Sequence, residues 1–107
     1  MNLRVTPRAL SEAKRLKSWW EKNRRMAPDL FEEELEGALG RIAETPTIGG
    51  LYEEGEHGVV PVRRLLIGKT KNHVYYAIDG DTVVVLSAWG APKGRGPRLS
   101  LRSVVKR

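Results

Sequence analysis

The residues of this chain that could do chemistry concentrate between positions 62 and 89, where cations and aromatic rings alternate with Val, Ile and Leu. The apolar residues explain a buried sheet, but a core does not require a group of cations beside it. The polar and aromatic candidates of this stretch are Arg63, Arg64, Lys69, Lys71, His73, Tyr75, Tyr76 and Trp89. Cations beside exposed rings can bind phosphates, bases or an acidic protein, so the stretch predicts a site.

One chemistry open to these residues is metal-independent RNA cleavage. It needs a base for the 2′-hydroxyl, an acid for the leaving oxygen and cations at the phosphate. Arg63 and Arg64 could supply the cations, and the pKa of His73 suits proton transfer near neutrality. Lys93 and Arg95 can bind phosphate but are poor acids at pH 7. Without a partner acid, His73 is more readily explained as a surface histidine, and the residues favour a binding surface.

Length and composition predict one small domain. The chain has 107 residues, 40% of them hydrophobic, and no cysteine, so it has no thiolate nucleophile, Cys-ligated metal or disulfide. We expect neither a metal nor another cofactor. The first ten residues lack the apolar core of a signal peptide, and no apolar run approaches the roughly 20 residues of a membrane span. These features predict a soluble, cytoplasmic protein.

The net charge of +6 is unevenly distributed along the chain. Residues 1–25 have eight Lys or Arg and two acids, whereas residues 26–56 have nine acids and one Arg. Residues 57–107 are basic again, with ten Lys or Arg and two acids. Such clustering attracts nucleic acid or an acidic protein through salt-sensitive fields, so we expect an interaction role.

The first half of the chain predicts a strand followed by two helices. The strand covers Asn2 to Thr6, and Thr6-Pro7 is a typical helix start because Thr caps free amides and Pro suits the first helical position. A second helix is expected from about Pro28 until Thr45-Pro46. The apolar residues with helical spacing are Ala9, Ala13, Leu16 and Trp20 in the first helix and Phe31, Leu35, Ala38, Leu39 and Ile42 in the second.

Residues 47–58 are rich in Gly and Glu and predict a loop, after which three strands follow at 59–67, 73–78 and 82–89. Asp79-Gly80-Asp81 predicts the tight turn of a hairpin. The order β-α-α-β-β-β predicts an α+β domain over residues 1–98, with two antiparallel helices on a largely antiparallel sheet and a tail at 99–107. Since strand residues alternate between faces, Arg63 and Arg64 should diverge, and one of Tyr75 and Tyr76 should be core and the other exposed.

Over residues 2 to 98 this layout resembles the RelE/ParE superfamily of bacterial type II toxins. The resemblance rests on the order and spacing of several short motifs together. They are Val5-Thr6-Pro7 with Ala9, then Phe31, Leu35 and Ile42 before Pro46 and Gly49, then Val62-Arg63-Arg64, Val74-Tyr75-Tyr76, Asp79-Gly80-Asp81 and Val83 to Trp89.

The resemblance implies a toxin that a cognate antitoxin neutralises, acting either on DNA gyrase or on mRNA at the ribosome. Ribonuclease members usually place a Tyr or His after the last strand, and its absence here favours a gyrase-binding toxin of the ParE branch. The expected target-binding residues are then Arg63, Arg64, Lys69, Lys71, Tyr76, Trp89, Lys93 and Arg95. Trp19 and Trp20 should pack at the core boundary, or one of them could anchor the antitoxin. A non-toxic basic module that binds nucleic acid is a further alternative.

Overall fold

A computed structural model describes residues 1–52 and 60–90 together with Pro97 and Leu99. Its elements follow the order strand, helix, helix and four strands. They are β1 (Asn2–Val5), α1 (Pro7–Asn23), α2 (Leu30–Glu44), β2 (Gly50–Leu51), β3 (Val62–Ile67), β4 (Asn72–Asp79) and β5 (Thr82–Gly90). The predicted α+β class and the order of the predicted elements are confirmed.

The first helix begins where the sequence predicts. The Thr6 hydroxyl accepts a hydrogen bond from the amide of Ala9 at 3.1 Å, and Pro7 occupies the first turn. The same hydroxyl lies 3.4 Å from the carbonyl oxygen of Leu86 in β5 and donates to it. The helix cap therefore also joins α1 to the sheet on which it packs.

The second helix begins at Leu30, two residues later than the pattern near Pro28 predicts. Its apolar stripe is confirmed, since Phe31, Ala38 and Ile42 are buried against the sheet. The helices form the predicted hairpin, and an exposed ion pair of 2.9 Å between Lys17 and Glu32 links them. An exposed pair of this kind stabilises little, so the hairpin depends mainly on the buried stripes.

The sheet has five strands in the order β1-β5-β4-β3-β2. β1 lies parallel to β5, and the other neighbours are antiparallel. The prediction that 47–58 is wholly a loop is wrong at β2, because Gly50 and Leu51 pair with β3. Two residues are too few to show alternation. β3 also begins at Val62 instead of position 59, and the preceding Pro61 has no amide to donate to a ladder.

Apolar side chains cover both faces of the central strands. On the helix face, α1 and α2 pack on Ile67, Val74, Tyr76, Val83 and Val85. The open face, which the helices do not cover, has its own cluster of Tyr52, Val62, Tyr75, Ala77, Val84 and Leu86, with Val60, Trp89 and Leu99 packed against it. The functional candidates are thus divided between two different environments.

Candidate functional site

A cation and two aromatic rings stack on the open face. Arg64 is exposed and pairs in register with Tyr75 of β4. Its guanidinium carbon lies 5.3 Å from the centre of the Tyr52 ring, which in turn meets the Tyr75 ring edge-on at 4.7 Å between centres. The rings give the guanidinium an apolar platform and leave its charge at the surface, where it can contact an anion.

His73 and Trp89 lie beside this stack, since they are register partners on β4 and β5. Both are half-buried, and the His73 ring is 5.8 Å from that of Tyr75. Burial lowers the pKa of His73 below its usual value of 6.5, and the Arg64 guanidinium lowers this pKa further. His73 is therefore mainly neutral at pH 7. Arg64, His73 and Trp89 thus place a cation, a neutral imidazole and a tryptophan edge together on the open face, a set suited to binding an anionic or aromatic surface.

Arg63 lies on the other side of the sheet from Arg64, as alternation predicts. Its guanidinium donates to the carbonyl oxygen of Gly49 at 2.8 Å and to that of Thr47 at 3.4 Å. These bonds hold the connection between α2 and β2 against β3. Arg63 therefore stabilises this connection through bonds to backbone carbonyl oxygens.

The expectation that only one of the two tyrosines is buried is wrong. Tyr75 is 1% exposed and Tyr76 is fully buried, because helices cover one face of β4 and the cluster around Tyr52 covers the other. The Tyr76 hydroxyl donates to the carbonyl oxygen of Pro46 at 2.6 Å and accepts from the amide of Gly49 at 2.9 Å. Tyr76 was expected to bind the target, but in this fold its surface is inside the core.

Lys69 and Lys71 are exposed in the turn between β3 and β4, at the end of the sheet where His73 and Trp89 lie. The Glu34 carboxylate of α2 accepts from the amides of Lys69 and Thr70 at 3.3 and 3.0 Å. The turn is therefore fastened to α2, and its lysines are exposed. Lys93 and Arg95 lie outside the described residues.

Two neighbours of the site had no sequence signal. Tyr52 falls in the predicted loop, yet its ring supports Arg64 and its hydroxyl lies 3.5 Å from the carbonyl oxygen of Pro97 and donates to it. Leu99 packs against the same cluster. The position of Tyr52 just after a two-residue strand, and the contact that Leu99 makes with its cluster, cannot be read from local periodicity, because both depend on chain segments far apart in sequence.

Glu12 is a buried carboxylate on the helix face that the sequence did not single out. Its Oε1 accepts from the Ser87 hydroxyl at 2.8 Å and from the Ala88 amide at 3.3 Å. Its Oε2 lies 3.4 Å from Nε of Arg8. With these partners the carboxylate is satisfied, and it joins α1 to β5 on the side away from the open face.

Among the described residues, no three His, Asp or Glu side chains gather into a possible metal site. None of the helices in that part of the chain is long and apolar enough to span a membrane.

Comparison with known proteins defines the class. The chain resembles the solved structure of the YoeB dimer from Staphylococcus aureus, a toxin of the RelE/ParE superfamily, with a TM-score of 0.53 and 14% identity. The match covers 83% of this chain and 94% of that one, and at this identity it establishes the fold alone. A search of curated proteins gives no match.

Residues 3–89 match the family described as the ParE toxin of the type II toxin-antitoxin system parDE. The chain therefore belongs to the ParE toxin family, and this membership implies an antitoxin partner. The resemblance inferred from the order of the motifs is confirmed, including its closeness to the ParE branch.

Proposed function

We propose that this toxin arrests growth by binding and poisoning DNA gyrase in the cytoplasm, and that its cognate antitoxin neutralises it. The match of residues 3–89 to the ParE toxin family carries this proposal. The target surface is the open face, with Arg64 and Trp89 at its centre and Lys69 and Lys71 at its edge. Lys93 and Arg95, which lie outside the described residues, are the further cations that we expect to bind the target.

The residues around His73 support binding over catalysis. Between positions 60 and 90 the acids are Asp79 and Asp81, on either side of the β4–β5 turn. Asp79 is six residues from His73 along β4, a distance of roughly 20 Å at about 3.3 Å per residue. A general acid or a carboxylate that orients the imidazole would have to lie within hydrogen-bond reach. With no such carboxylate between positions 60 and 90 within that reach along the strand, the cations of this segment suit a complementary protein surface.

The direct test is a supercoiling and DNA-cleavage assay with purified gyrase and the purified toxin. We expect inhibition of supercoiling and accumulation of cleaved DNA, both reversed when the antitoxin is added. A ribosome-dependent mRNA cleavage assay runs beside it. Intact mRNA together with inhibited gyrase supports the proposal, whereas cleaved mRNA with active gyrase contradicts it.

A second candidate is a ribosome-dependent mRNA endoribonuclease. One observation favours it, namely that Arg64, His73 and Trp89 lie on one face, where a cation, a neutral base and a stacking ring could meet RNA. If this candidate is right, His73→Gln should reduce mRNA cleavage at least about a hundredfold, the usual contribution of a general base. Equal gyrase inhibition by wild type and His73→Gln agrees with the binding proposal.

A further inference from the structure

The end of the helical hairpin has a second aromatic surface, far from the open face. It consists of Trp19, Trp20, Arg24 and Met26, which we call the tip patch. Trp19 is 48% exposed and Met26 is 99% exposed. Large apolar side chains exposed next to one another are typical of protein-binding surfaces, in which a few aromatic residues supply most of the affinity.

Hydrogen bonds and ring contacts fix the geometry of the tip patch. The Trp20 indole N–H donates to the carbonyl oxygen of Ala27 at 2.7 Å, and the Asn23 side chain donates to the carbonyl oxygen of Trp19 at 2.8 Å. The Arg24 guanidinium carbon lies 5.3 Å from the Trp19 ring and 5.8 Å from the Trp20 ring. The part of the patch formed by Trp19, Trp20 and Arg24 is thus held in place and loses little conformational entropy on binding, which favours its use as an anchor.

Cations outnumber acids around the tip patch, where Glu21 and Asp29 are the nearest acids in sequence. Lys14, Arg15, Lys22 and Arg25 are exposed on or just after α1, and within the described residues none of them forms an ion pair. Lys17 differs, because Glu32 of α2 neutralises it at 2.9 Å. A partner that buries Trp19 and Met26 would therefore meet several cations that form no ion pair within the described residues. Charge complementarity requires an acidic partner.

We propose that the tip patch binds an acidic segment of the antitoxin whose apolar side chains cover Trp19 and Met26. This inference rests on membership of the toxin family and is independent of gyrase as the target. Protein fits the surface better than nucleic acid, because Arg24 lies against both indole rings and Met26 offers apolar contact without a stacking plane. Since α1 packs on the helix face, this contact is separate from Arg64 and the open face.

The test measures the affinity of the purified cognate antitoxin for full-length toxin variants by calorimetry. Trp19→Ala and Met26→Ala should each weaken binding about tenfold or more, the effect of losing an interface anchor. Leu10→Ala is the matched control, because Leu10 is also 48% exposed on α1 but lies at the other end of the helix. Its affinity should match wild type. Trp19→Phe keeps a ring and should fall between wild type and Trp19→Ala.

Salt and gyrase measurements complete the test. Raising the salt concentration from about 0.05 to about 0.5 M should weaken antitoxin binding by wild type more than antitoxin binding by the double variant Arg24→Gln/Arg25→Gln. The double variant has fewer charges for the salt to screen. Trp19→Ala should still inhibit gyrase as wild type does. If wild type fails to inhibit gyrase, the proposed function fails while the antitoxin affinities still test the tip patch. Unchanged antitoxin affinity in folded Trp19→Ala and Met26→Ala overturns the inference. An oligonucleotide is titrated in parallel, and variants that lose only oligonucleotide binding overturn the inference as well.

Discussion

The two faces of the sheet use the same residue types for different purposes. On the helix face, Arg63 and Tyr76 bond to backbone atoms of the connection between α2 and β2. On the open face, their sequence neighbours Arg64 and Tyr75 belong to a stack of rings whose outermost group is a cation. Because neighbouring strand residues point to opposite faces, two adjacent residues of the same type can have different roles, one structural and one in recognition.

The largest expected effect concerns the helix face. A methyl group at Gly49 would lie 2.7 Å from the Tyr76 hydroxyl and 2.8 Å from the carbonyl oxygen of Arg64. Because one of these atoms is backbone, Gly49→Ala should lower the free energy of unfolding by about 3 kcal/mol, measured by denaturant titration. Gly50→Ala is the control, since a methyl group there meets nothing within 4 Å. Equal stability of the two variants would contradict the close packing of Gly49 against Tyr76 and Arg64.

The tyrosine pair tests the same comparison with a smaller change. Tyr76→Phe loses one buried and one partly buried hydrogen bond, and it leaves the amide of Gly49 and the carbonyl of Pro46 without this partner. We expect a loss of about 2 kcal/mol in unfolding free energy. Tyr75→Phe should cost about 0.5 kcal/mol or less, because no described residue hydrogen-bonds to its hydroxyl. If Tyr75→Phe is the more damaging change, the roles of the two faces are reversed.

The arginine pair should separate less widely in stability. Arg63→Ala removes a bond of 2.8 Å to the carbonyl oxygen of Gly49 and should cost about 1 kcal/mol. Arg64 is exposed, and its contact with the Tyr52 ring is expected to contribute about 0.5 kcal/mol. Thermal unfolding of the two alanine variants under the same conditions gives the comparison. A greater loss for Arg64→Ala would mean that the open-face stack also supports the fold.

The smallest effect is a pKa change on the open face. Burial and then Arg64 lower the pKa of His73, so Arg64→Ala should raise this pKa while burial keeps it below 6.5. A lowered histidine pKa means that the unfolded chain binds the proton more strongly. The contribution of His73 to stability is thus complete above about 6.5 and is lost as the pH falls through the folded pKa. Titration of the ring by NMR, assigned with His73→Gln, measures the pKa of His73 in wild type and in Arg64→Ala. An unchanged pKa in Arg64→Ala would contradict the proximity of the two groups.

Much of the fold follows from local sequence patterns. Thr6-Pro7 marks the start of α1, the apolar spacing identifies both helices, and Gly80 has the positive φ of 61° that the Asp79-Gly80-Asp81 turn needs. β2 could not be predicted, because its two residues owe their conformation to pairing with Arg63 and Arg64 of β3. Pairing of this kind is a property of the folded chain.

The candidate site was predicted in part. Alternation correctly separates Arg63 from Arg64, whereas the shared face of His73 and Arg64 follows from the register of β3 and β4. It does not tell what covers each face, so the burial of both Tyr75 and Tyr76 was missed. Tyr52 and Leu99, which cover the open face, come from segments without strand or helix periodicity. Their placement depends on contacts between distant parts of the chain, which a single sequence does not encode locally.

Inhibition of gyrase supercoiling by Arg64→Ala tests the central claim most directly. Arg41→Ala is the matched control, since Arg41 is an exposed arginine in the last turn of α2, and α2 packs on the helix face of the sheet. If the open face binds the target, the concentration of Arg64→Ala needed for half-inhibition should rise about tenfold or more, while Arg41→Ala matches wild type. Inhibition by a folded Arg64→Ala at the wild-type concentration would contradict the account.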